Sequence, residues 1–432
     1  MKHSDANVQT KPARSRWLFT SRLGLVLLFA GVITIPPAIA QPGDPESTAV
    51  RDRARPDYDP AGIRVGSFFL YPSIDLGVEY EDNVFATTNN KQSDAILTVA
   101  PRVAMQSDWS RHALSLEASG RLGFFTDLTT EDYQDARLGL SGRLDVGRNS
   151  WVQFRVAGNR RHEDRGSPDD AGGLKPTIFY TVNPEVRLHI GLNRLFIQLA
   201  TEVDVVDFKD TLAAGGVIIN EDDRDRVVWT GRVKLGMRVS EGLRAFVEGS
   251  YNVRDYDDLV DDAGRMRDSD GFGISAGVNV VLTGTLTAEA FLGYRRQSFD
   301  ELAFETIKGV TGGLDLIWTP TQLTTVTLGG ERRIDETTQA GVSGVFATEF
   351  SLRVDHELLR QLIVTAQGSV FDRDFRGNGR NDTGWRAGVR ATYLLNRNLN
   401  LDVGYEYRKR DSNFALETFD LNKAHLRLRV QL

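Results

Sequence analysis

The chain has 432 residues, a formal net charge of −7, 41 glycines and no cysteine. Without cysteine it can form no disulfide, thiolate nucleophile or cysteine-ligated metal site, and its acidic balance disfavours nucleic acid as a partner, because phosphate binding needs a clustered basic surface. A hydrophobic content of 41% and a mean hydropathy of −0.30 also exclude a bundle of membrane-spanning helices.

The N-terminus has the composition of a secretory signal peptide. Basic residues precede an apolar run over residues 23–35, and small residues around Ala38 and Ala40 follow it. Thirteen apolar residues are too few to span a membrane. The pattern predicts a signal peptide over residues 1–40 that is removed on export.

Residues 41–66 follow the predicted cleavage site and show no hydrophobic periodicity. They contain Pro42, Pro45, Pro56 and Pro60 among charged residues. Proline-rich charged segments of this kind are typical of linkers. We therefore expect a mobile periplasmic arm or linker here, followed by one domain over residues 67–432.

From residue 67 onward, apolar and polar residues alternate with a period of two. In residues 243–254, for example, Leu243, Val247 and Tyr251 alternate with polar residues such as Arg244 and Glu248. Only an extended strand separates these sets onto two faces. The same alternation predicts eighteen strands, at residues 70–82, 94–107, 112–125, 133–146, 151–162, 177–190, 195–208, 226–239, 243–256, 270–282, 285–298, 306–318, 323–335, 347–357, 361–373, 383–395, 399–410 and 419–432.

The connections between these strands alternate between short turns and long polar loops. This arrangement is typical of a transmembrane barrel, which has short periplasmic turns and long extracellular loops. A spanning sheet must close on itself to pair every backbone amide, and only one of its faces meets lipid, so negative hydropathy is compatible with membrane insertion. The predicted fold is all-β: a transmembrane up-and-down antiparallel barrel of about eighteen strands in the Gram-negative outer membrane.

The last predicted strand carries a further membrane signal. Ala424, Leu426, Leu428 and Val430 alternate with polar residues up to the terminal Leu432. A terminal apolar strand resembles the signal read by the barrel-assembly machinery, although the usual last residue is aromatic and Leu432 is not. We therefore expect that machinery to be a partner.

One local motif carries a family resemblance. The run Tyr80, Glu81, Asp82, Asn83, Val84 and Phe85 resembles the end of the first strand in the outer-membrane barrels called putative β-barrel porin 2. Members of that family are found among exopolysaccharide and capsule export genes. The resemblance implies an envelope barrel with a part in polysaccharide export, and it implies no catalytic residue.

The polar face of the predicted strands is rich in arginine and carboxylates. One interpretation is cross-strand ion pairing that stiffens the wall; the other is a selectivity path for sugars or anionic polymer, since guanidinium groups bind hydroxyl-rich and anionic ligands. Candidate lumen residues are Arg353, Arg386, Arg390, Arg427, Arg429, Asp402 and Glu406, with Phe246, Phe291 and Phe371 as stacking platforms.

Signals of catalysis or metal binding are weak. The six histidines are scattered, and the sequence contains no zinc-protease, phosphate-loop or nucleophile-elbow motif. His162 with Ser167 is the only weak hydrolase candidate. The acidic loops around Asp222 and Asp261 lack the spacing of a calcium loop and are expected to be solvated. We predict no enzyme activity, metal site or cofactor.

The leading functional hypothesis is an outer-membrane channel that exports exopolysaccharide or oligosaccharide, assisted by periplasmic export proteins. Outer-membrane lipid and lipopolysaccharide are the expected surroundings. Two alternatives stay open: a general or substrate-specific diffusion porin, and a non-conducting structural or adhesion barrel that retains surface polymer.

Overall fold

A computed structural model describes residues 49–432 except 283 and 340. The predicted signal peptide and residues 41–48 of the predicted arm lie outside the described residues. In the part of the chain that is described, no helix is both long enough and apolar enough to cross a membrane.

Eighteen long strands form the wall of the molecule. They are β1 (Phe68–Glu81), β2 (Asp94–Ser107), β3 (Ala113–Phe125), β4 (Tyr133–Asp145), β5 (Ser150–His162), β6 (Ile178–Leu192), β7 (Leu195–Phe208), β8 (Arg226–Ser240), β9 (Leu243–Tyr256), β10 (Ser269–Leu282), β11 (Leu286–Phe299), β12 (Ile307–Thr321), β13 (Thr324–Asp335), β14 (Gly344–Leu359), β15 (Leu362–Arg376), β16 (Asn381–Leu394), β17 (Leu399–Ser412) and β18 (Phe419–Gln431).

Each strand pairs antiparallel with the next, and the sheet closes on itself. β1 pairs with β2 on one side and with β18 on the other, in a register that runs from Ser73 opposite Gln431 to Glu81 opposite Lys423. In the part of the chain that is described, closure gives each of the eighteen wall strands a hydrogen-bonded neighbour on both sides, which a sheet in hydrocarbon requires. The predicted fold is confirmed, and each predicted strand end lies within three residues of the observed one.

Side chains on the two faces of the wall differ in exposure as the alternation predicts. On β9, Val247 and Tyr251 are 50% and 53% exposed, whereas their chain neighbours Phe246 and Asn252 are buried. The exposed apolar face is the surface that lipid covers, and the polar face lines the lumen. Buried apolar clusters are small and lie toward the long loops, for example Phe179 with Val206 and Phe208.

The two ends of the barrel differ. Tight turns such as Asn193–Arg194 and Glu241–Gly242 join strands at the end we assign to the periplasm. At the opposite, extracellular end most loops are longer, although only residues 377–380 join β15 to β16. The β7–β8 loop contains its own small hairpin, Thr211–Leu212 with Ile218–Ile219. A short strand, Ile63–Val65, pairs with the start of β1 and leads the chain into the wall.

Candidate functional site

The inner wall is dominated by ion pairs between neighbouring strands. Arg102 on β2 lies 2.9 Å from Glu117 on β3, and Arg232 on β8 lies 2.6 Å from Glu202 on β7. These contacts are the cross-strand ion pairs that were one of the two interpretations of the polar face. A lumen built in this way is polar and water-compatible, with positive and negative charges interspersed.

Four of the predicted lumen residues line one cavity of about 320 Å³ near the periplasmic end: Arg390, Asp402, Arg427 and Arg429. Arg429 donates two hydrogen bonds to Asp75, at 2.6 and 2.7 Å, and Arg390 lies 3.7 Å from Asp402. The cavity also contains Arg51, which the sequence analysis did not select. Four arginines and two aspartates line the cavity, and two carboxylates outside the lining pair with it: Asp355 with Arg51 at 2.8 Å and Glu79 with Arg427 at 3.1 Å.

The other three predicted charged residues lie outside this cavity. Arg386 is 3.9 Å from Glu406, which also receives a hydrogen bond of 2.6 Å from Arg408. Arg353 is 3.2 Å from Asp355 on the same strand. The predicted sector therefore divides into an arginine-lined periplasmic pocket, the Arg353–Asp355 pair beside it, which also holds Arg51, and the separate Arg386–Glu406 pair.

The three predicted stacking residues are packed against glycines of neighbouring strands. The rings of Phe246, Phe291 and Phe371 occupy the space that a side chain would need at Gly277, Gly313 and Gly384, within 2.3 to 2.5 Å of an ideal Cβ. Phe246 is also covered by Lys234, 4.1 Å from its ring centre, and is 4% exposed. Its predicted role as a stacking platform is wrong, because neither face is accessible. For Phe291 and Phe371 that role stays a prediction.

The family motif lies where the barrel closes. Asp82 accepts hydrogen bonds from the backbone and side-chain amides of Asn422 at 2.7 and 2.6 Å. Asn83 is fully buried and donates to the carbonyl of Asp420 at 2.9 Å, while Glu81 pairs with Lys423. These polar motif residues thus join the first strand and its loop to the last strand.

The remaining motif residues lie in different environments. Tyr80 is exposed on the outer face, and Val84 is buried. The ring of Phe85 lies 5.7 Å from the Arg165 guanidinium, in the loop after β5. The motif therefore connects barrel closure with the loop that narrows the extracellular mouth.

That loop, residues 163–177, joins β5 to β6 and is called the crossing loop here. Thr337 donates to Asp169 at 2.5 Å and Gln339 donates to the carbonyl of Pro168 at 2.5 Å, both from the β13–β14 connection. β13 is eight strands away from β5 in an eighteen-stranded wall, so these contacts reach nearly the opposite side. Arg410 on β17 donates to the carbonyl of Gly166 at 2.8 Å. The crossing loop therefore spans the mouth.

Buried ion pairs hold the crossing loop in place. Arg224, in the β7–β8 loop, donates to both carboxylate oxygens of Glu163 at 3.0 and 2.8 Å and to Glu221 at 2.6 Å. Arg165 binds Glu131 in the same two-pronged way, at 2.8 and 2.7 Å. Paired guanidinium–carboxylate contacts of this kind are strong and fix orientation.

Two carboxyl groups of the extracellular loops have raised pKa values. Burial, assisted by the nearby Glu163 carboxylate, raises the pKa of Asp170 to about 6, although the Arg165 guanidinium partly opposes this. Burial together with neighbouring carboxylates raises the pKa of Asp225 to about 7. Both groups therefore change charge near neutral pH.

The crossing loop bounds a cavity of about 740 Å³ at the extracellular end. Arg121, Tyr133 and Asp335 are among its wall residues. His162 and Ser167 also line it, but His162 contacts Asp135 at 2.9 Å and Ser167 donates to Glu163 at 2.9 Å. The structure thus gives each residue of the weak hydrolase candidate a carboxylate partner of its own.

At the periplasmic end, the segment before the barrel lies against the inner wall. This segment, residues 49–62, is called the arm here. Val50 is fully buried and its amide donates to Thr325 at 2.8 Å, while Arg51 donates to Asp355 at 2.8 Å and Arg55 to Glu357 at 2.9 Å. The expectation of a mobile linker is wrong for these residues, because charged side chains anchor them to β13 and β14.

Sequence reasoning missed Arg51, Arg55 and Arg224 as lumen residues. Arg51, Arg53 and Arg55 do alternate, as in a strand, but the prolines around them indicated a linker. The acidic loops also differ in part from expectation: Asp261 is buried and pairs with Arg267 at 2.7 Å, so it is not solvated. Among the described residues, no group of three or more candidate ligand side chains is placed to hold a metal ion.

Several solved structures resemble the chain over most of its length. The outer membrane protein OpdK from Pseudomonas aeruginosa is 15% identical over 84% of this chain and 99% of that chain, with a TM-score of 0.43. OccK2 (OpdF) from the same organism is 13% identical over 85% and 98%, with a TM-score of 0.45, and OccAB4 from Acinetobacter baumannii is 13% identical over 84% and 97%, with a TM-score of 0.43.

No curated protein matches the chain significantly. The sequence profile of a family does: the family described as "Putative beta-barrel porin 2" matches residues 55–432. The match covers the arm from Arg55 and the whole barrel, and with the closed wall and its lipid-facing belt it supports a location in the Gram-negative outer membrane. The chain belongs to the putative beta-barrel porin 2 family.

Proposed function

We propose that the protein is a diffusion porin, through which small hydrophilic solutes cross the outer membrane. The observation that carries this proposal is the crossing loop, which spans the extracellular mouth and is anchored on both sides of it. A loop held inside a polar barrel narrows the aqueous path through the lumen but leaves that path open. Size selection among small solutes follows from such a constriction.

The same observation argues against the expected export of polysaccharide. A polymer chain would have to displace the crossing loop, and with it the buried pairs that Arg224 makes with Glu163 and Glu221. Breaking such buried pairs is costly, because each leaves an uncompensated charge. The family match supports a porin and gives no support to a polysaccharide role, so the diffusion-porin alternative fits better.

We further propose a preference for anionic solutes at the periplasmic end. The lining of that pocket contains four guanidinium groups, from Arg51, Arg390, Arg427 and Arg429, and two carboxylates, because the partners of Arg51 and Arg427, Asp355 and Glu79, lie outside the lining. A narrow aqueous path lined by excess positive charge concentrates anions. Because most wall arginines are already paired, the preference is expected to be modest.

Planar-bilayer recording tests both parts of the proposal. The purified mature protein should give discrete conductance steps, and a salt gradient should give a reversal potential that favours chloride. R390Q/R427Q should reduce this preference while keeping the wall intact, because Asp402 keeps His425 and Thr392, and Glu79 keeps Arg121 and Lys423. R111Q/R148Q removes the same charge from exposed turns and serves as the control.

Liposome swelling with sugars of increasing length separates the diffusion porin from the other candidates. Monosaccharides should enter quickly and long oligosaccharides slowly. Equal entry of long polymers would favour polysaccharide passage instead. Absence of any conductance at every voltage would reject both channel hypotheses and leave the structural or adhesion barrel.

A further inference from the structure

Three cationic side chains lie together on the outside of the barrel near its extracellular end. Arg296 on β11 and Lys308 on β12 are direct cross-strand partners, and Arg332 on β13 reaches back to β12, where it donates to the carbonyl of Val310 at 3.2 Å. All three are exposed. We call Arg296, Lys308 and Arg332 the outer basic patch.

The outer basic patch has no anionic partner among the described residues. Two carboxylates on neighbouring segments, Asp270 and Glu305, form no ion pair with it in that part of the protein. Other cations at this end do have such partners: Lys91 pairs with Asp420, Lys209 with Asp207 and Lys409 with Asp411. The patch is thus a local excess of three positive charges on adjacent strands.

Its height on the barrel corresponds to the level of lipid headgroups. Tyr294 and Val310, which face each other across β11 and β12, lie two residues further toward the membrane centre than Arg296 and Lys308. Both are exposed on the lipid-facing surface, as is Phe350 on β14. A tyrosine at the edge of the apolar belt marks the interface between acyl chains and headgroups.

Arg332 is held in position rather than left free. Its Nη1 donates to Thr348 at 2.7 Å, and its guanidinium lies 4.8 Å from the centre of the Phe346 ring. A guanidinium fixed in this way loses less conformational entropy when it binds an anion. The patch therefore combines charge, exposure and one pre-positioned donor.

We propose that the outer basic patch binds the phosphate groups of lipopolysaccharide in the outer leaflet. Arginine binds phosphate through paired hydrogen bonds, and lysine binds it as a point charge. The acyl chains of the same molecule would lie on the apolar surface around Tyr294, Val310 and Phe350. This site requires only that the barrel lies in the outer membrane, so it does not depend on whether the barrel conducts.

Binding of lipid A to the full mature protein in detergent tests the proposal. The wild type should bind bisphosphorylated lipid A much more tightly than its dephosphorylated form. At roughly a factor of five for each cation near an anionic lipid surface, R296Q/K308Q/R332Q should weaken binding about a hundredfold. Millimolar inorganic phosphate should compete poorly, because it lacks the acyl chains.

The matched control is K91Q/K209Q/K409Q, which removes the same charge from cations that already have carboxylate partners. It should leave lipid A affinity within about twofold of the wild type. An equal loss of affinity in both variants would overturn the proposal in favour of unspecific electrostatic attraction. Unchanged affinity in the patch variant would also overturn it, because the patch would then not be the binding site. Full displacement by inorganic phosphate would overturn it in favour of a soluble anion.

Folding is checked separately by β-sheet circular dichroism and by the heat-dependent gel shift of intact barrels. If the triple variant does not fold, R296Q and K308Q alone should each weaken binding about fivefold. Neither residue makes a side-chain hydrogen bond or ion pair within the described residues, so neither is expected to affect folding. Unchanged binding in both single variants would then reject the site.

Discussion

The extracellular and periplasmic mouths of this barrel are both narrowed from inside, but by contacts of different kinds. The crossing loop is held by buried pairs, such as Arg224 with Glu163, in which both side chains are shielded from water. The arm has one buried pair of the same kind, Arg55 with Glu357, but its other two cations, Arg51 and Arg53, are 40% and 28% exposed where they meet Asp355 and Glu357. Salt screens exposed pairs and hardly affects buried ones. The extracellular narrowing should therefore be permanent, and the periplasmic one adjustable.

The strongest test of this comparison shortens the crossing loop. Replacing residues 164–175 by a short glycine–serine linker should raise single-channel conductance severalfold, because the loop occupies the mouth. Removing residues 213–217, the exposed tip of the β7–β8 hairpin, is the control and should change conductance little. Equal conductance in both variants would show that the mouth does not limit flow.

A point substitution tests whether buried pairs lock the loop. Arg224→Met leaves Glu163 and Glu221 buried without their main partner and should destabilise the loop by about 3–5 kcal/mol. Limited proteolysis should then cut within the crossing loop, whereas the wild type resists. The barrel itself should keep its heat-dependent gel shift. A loop that stays resistant would contradict the assigned role of Arg224.

Raising the salt concentration should loosen the contacts that hold the arm, but not those that hold the crossing loop. R51Q/R53Q weakens the contacts of the arm to Asp355 and Glu357 and should raise conductance by less than loop shortening does. In the wild type, conductance corrected for bulk conductivity should rise between low and high salt, and the variant should lose this rise. Asp57→Asn changes an exposed charge of the same segment and should behave as the wild type.

The smallest expected effect is a pH dependence of the crossing loop. The pKa of Asp170, about 6, is above its ordinary value of 3.8, so the folded loop binds this proton more tightly than the unfolded chain does. The loop therefore gains stability as pH falls through 6 and loses it as pH rises. Current fluctuations from loop movement should be rarer at pH 5 than at pH 7.5. Asp170→Asn should reduce the difference, and D170N/D225N should reduce it further.

The sequence predicted the wall far better than the mouths. Strand positions follow from the alternation of residues such as Leu243 and Arg244, which lipid on one side and water on the other impose on every strand. The candidate pocket was predicted in part: Arg390, Asp402, Arg427 and Arg429 share a cavity, because they lie on three consecutive strands. The burial of Phe246 was not predicted, because it depends on Gly277 of the neighbouring strand and on Lys234.

The sequence by itself determined that this chain closes into an eighteen-stranded membrane barrel, since backbone pairing and one-sided contact with lipid act locally on each strand. Only the tertiary structure decided what narrows the lumen. Contacts between Asp169 and Thr337, or between Arg51 and Asp355, join residues far apart in the chain. No periodicity encodes such contacts, because they depend on which loops meet once the wall has closed.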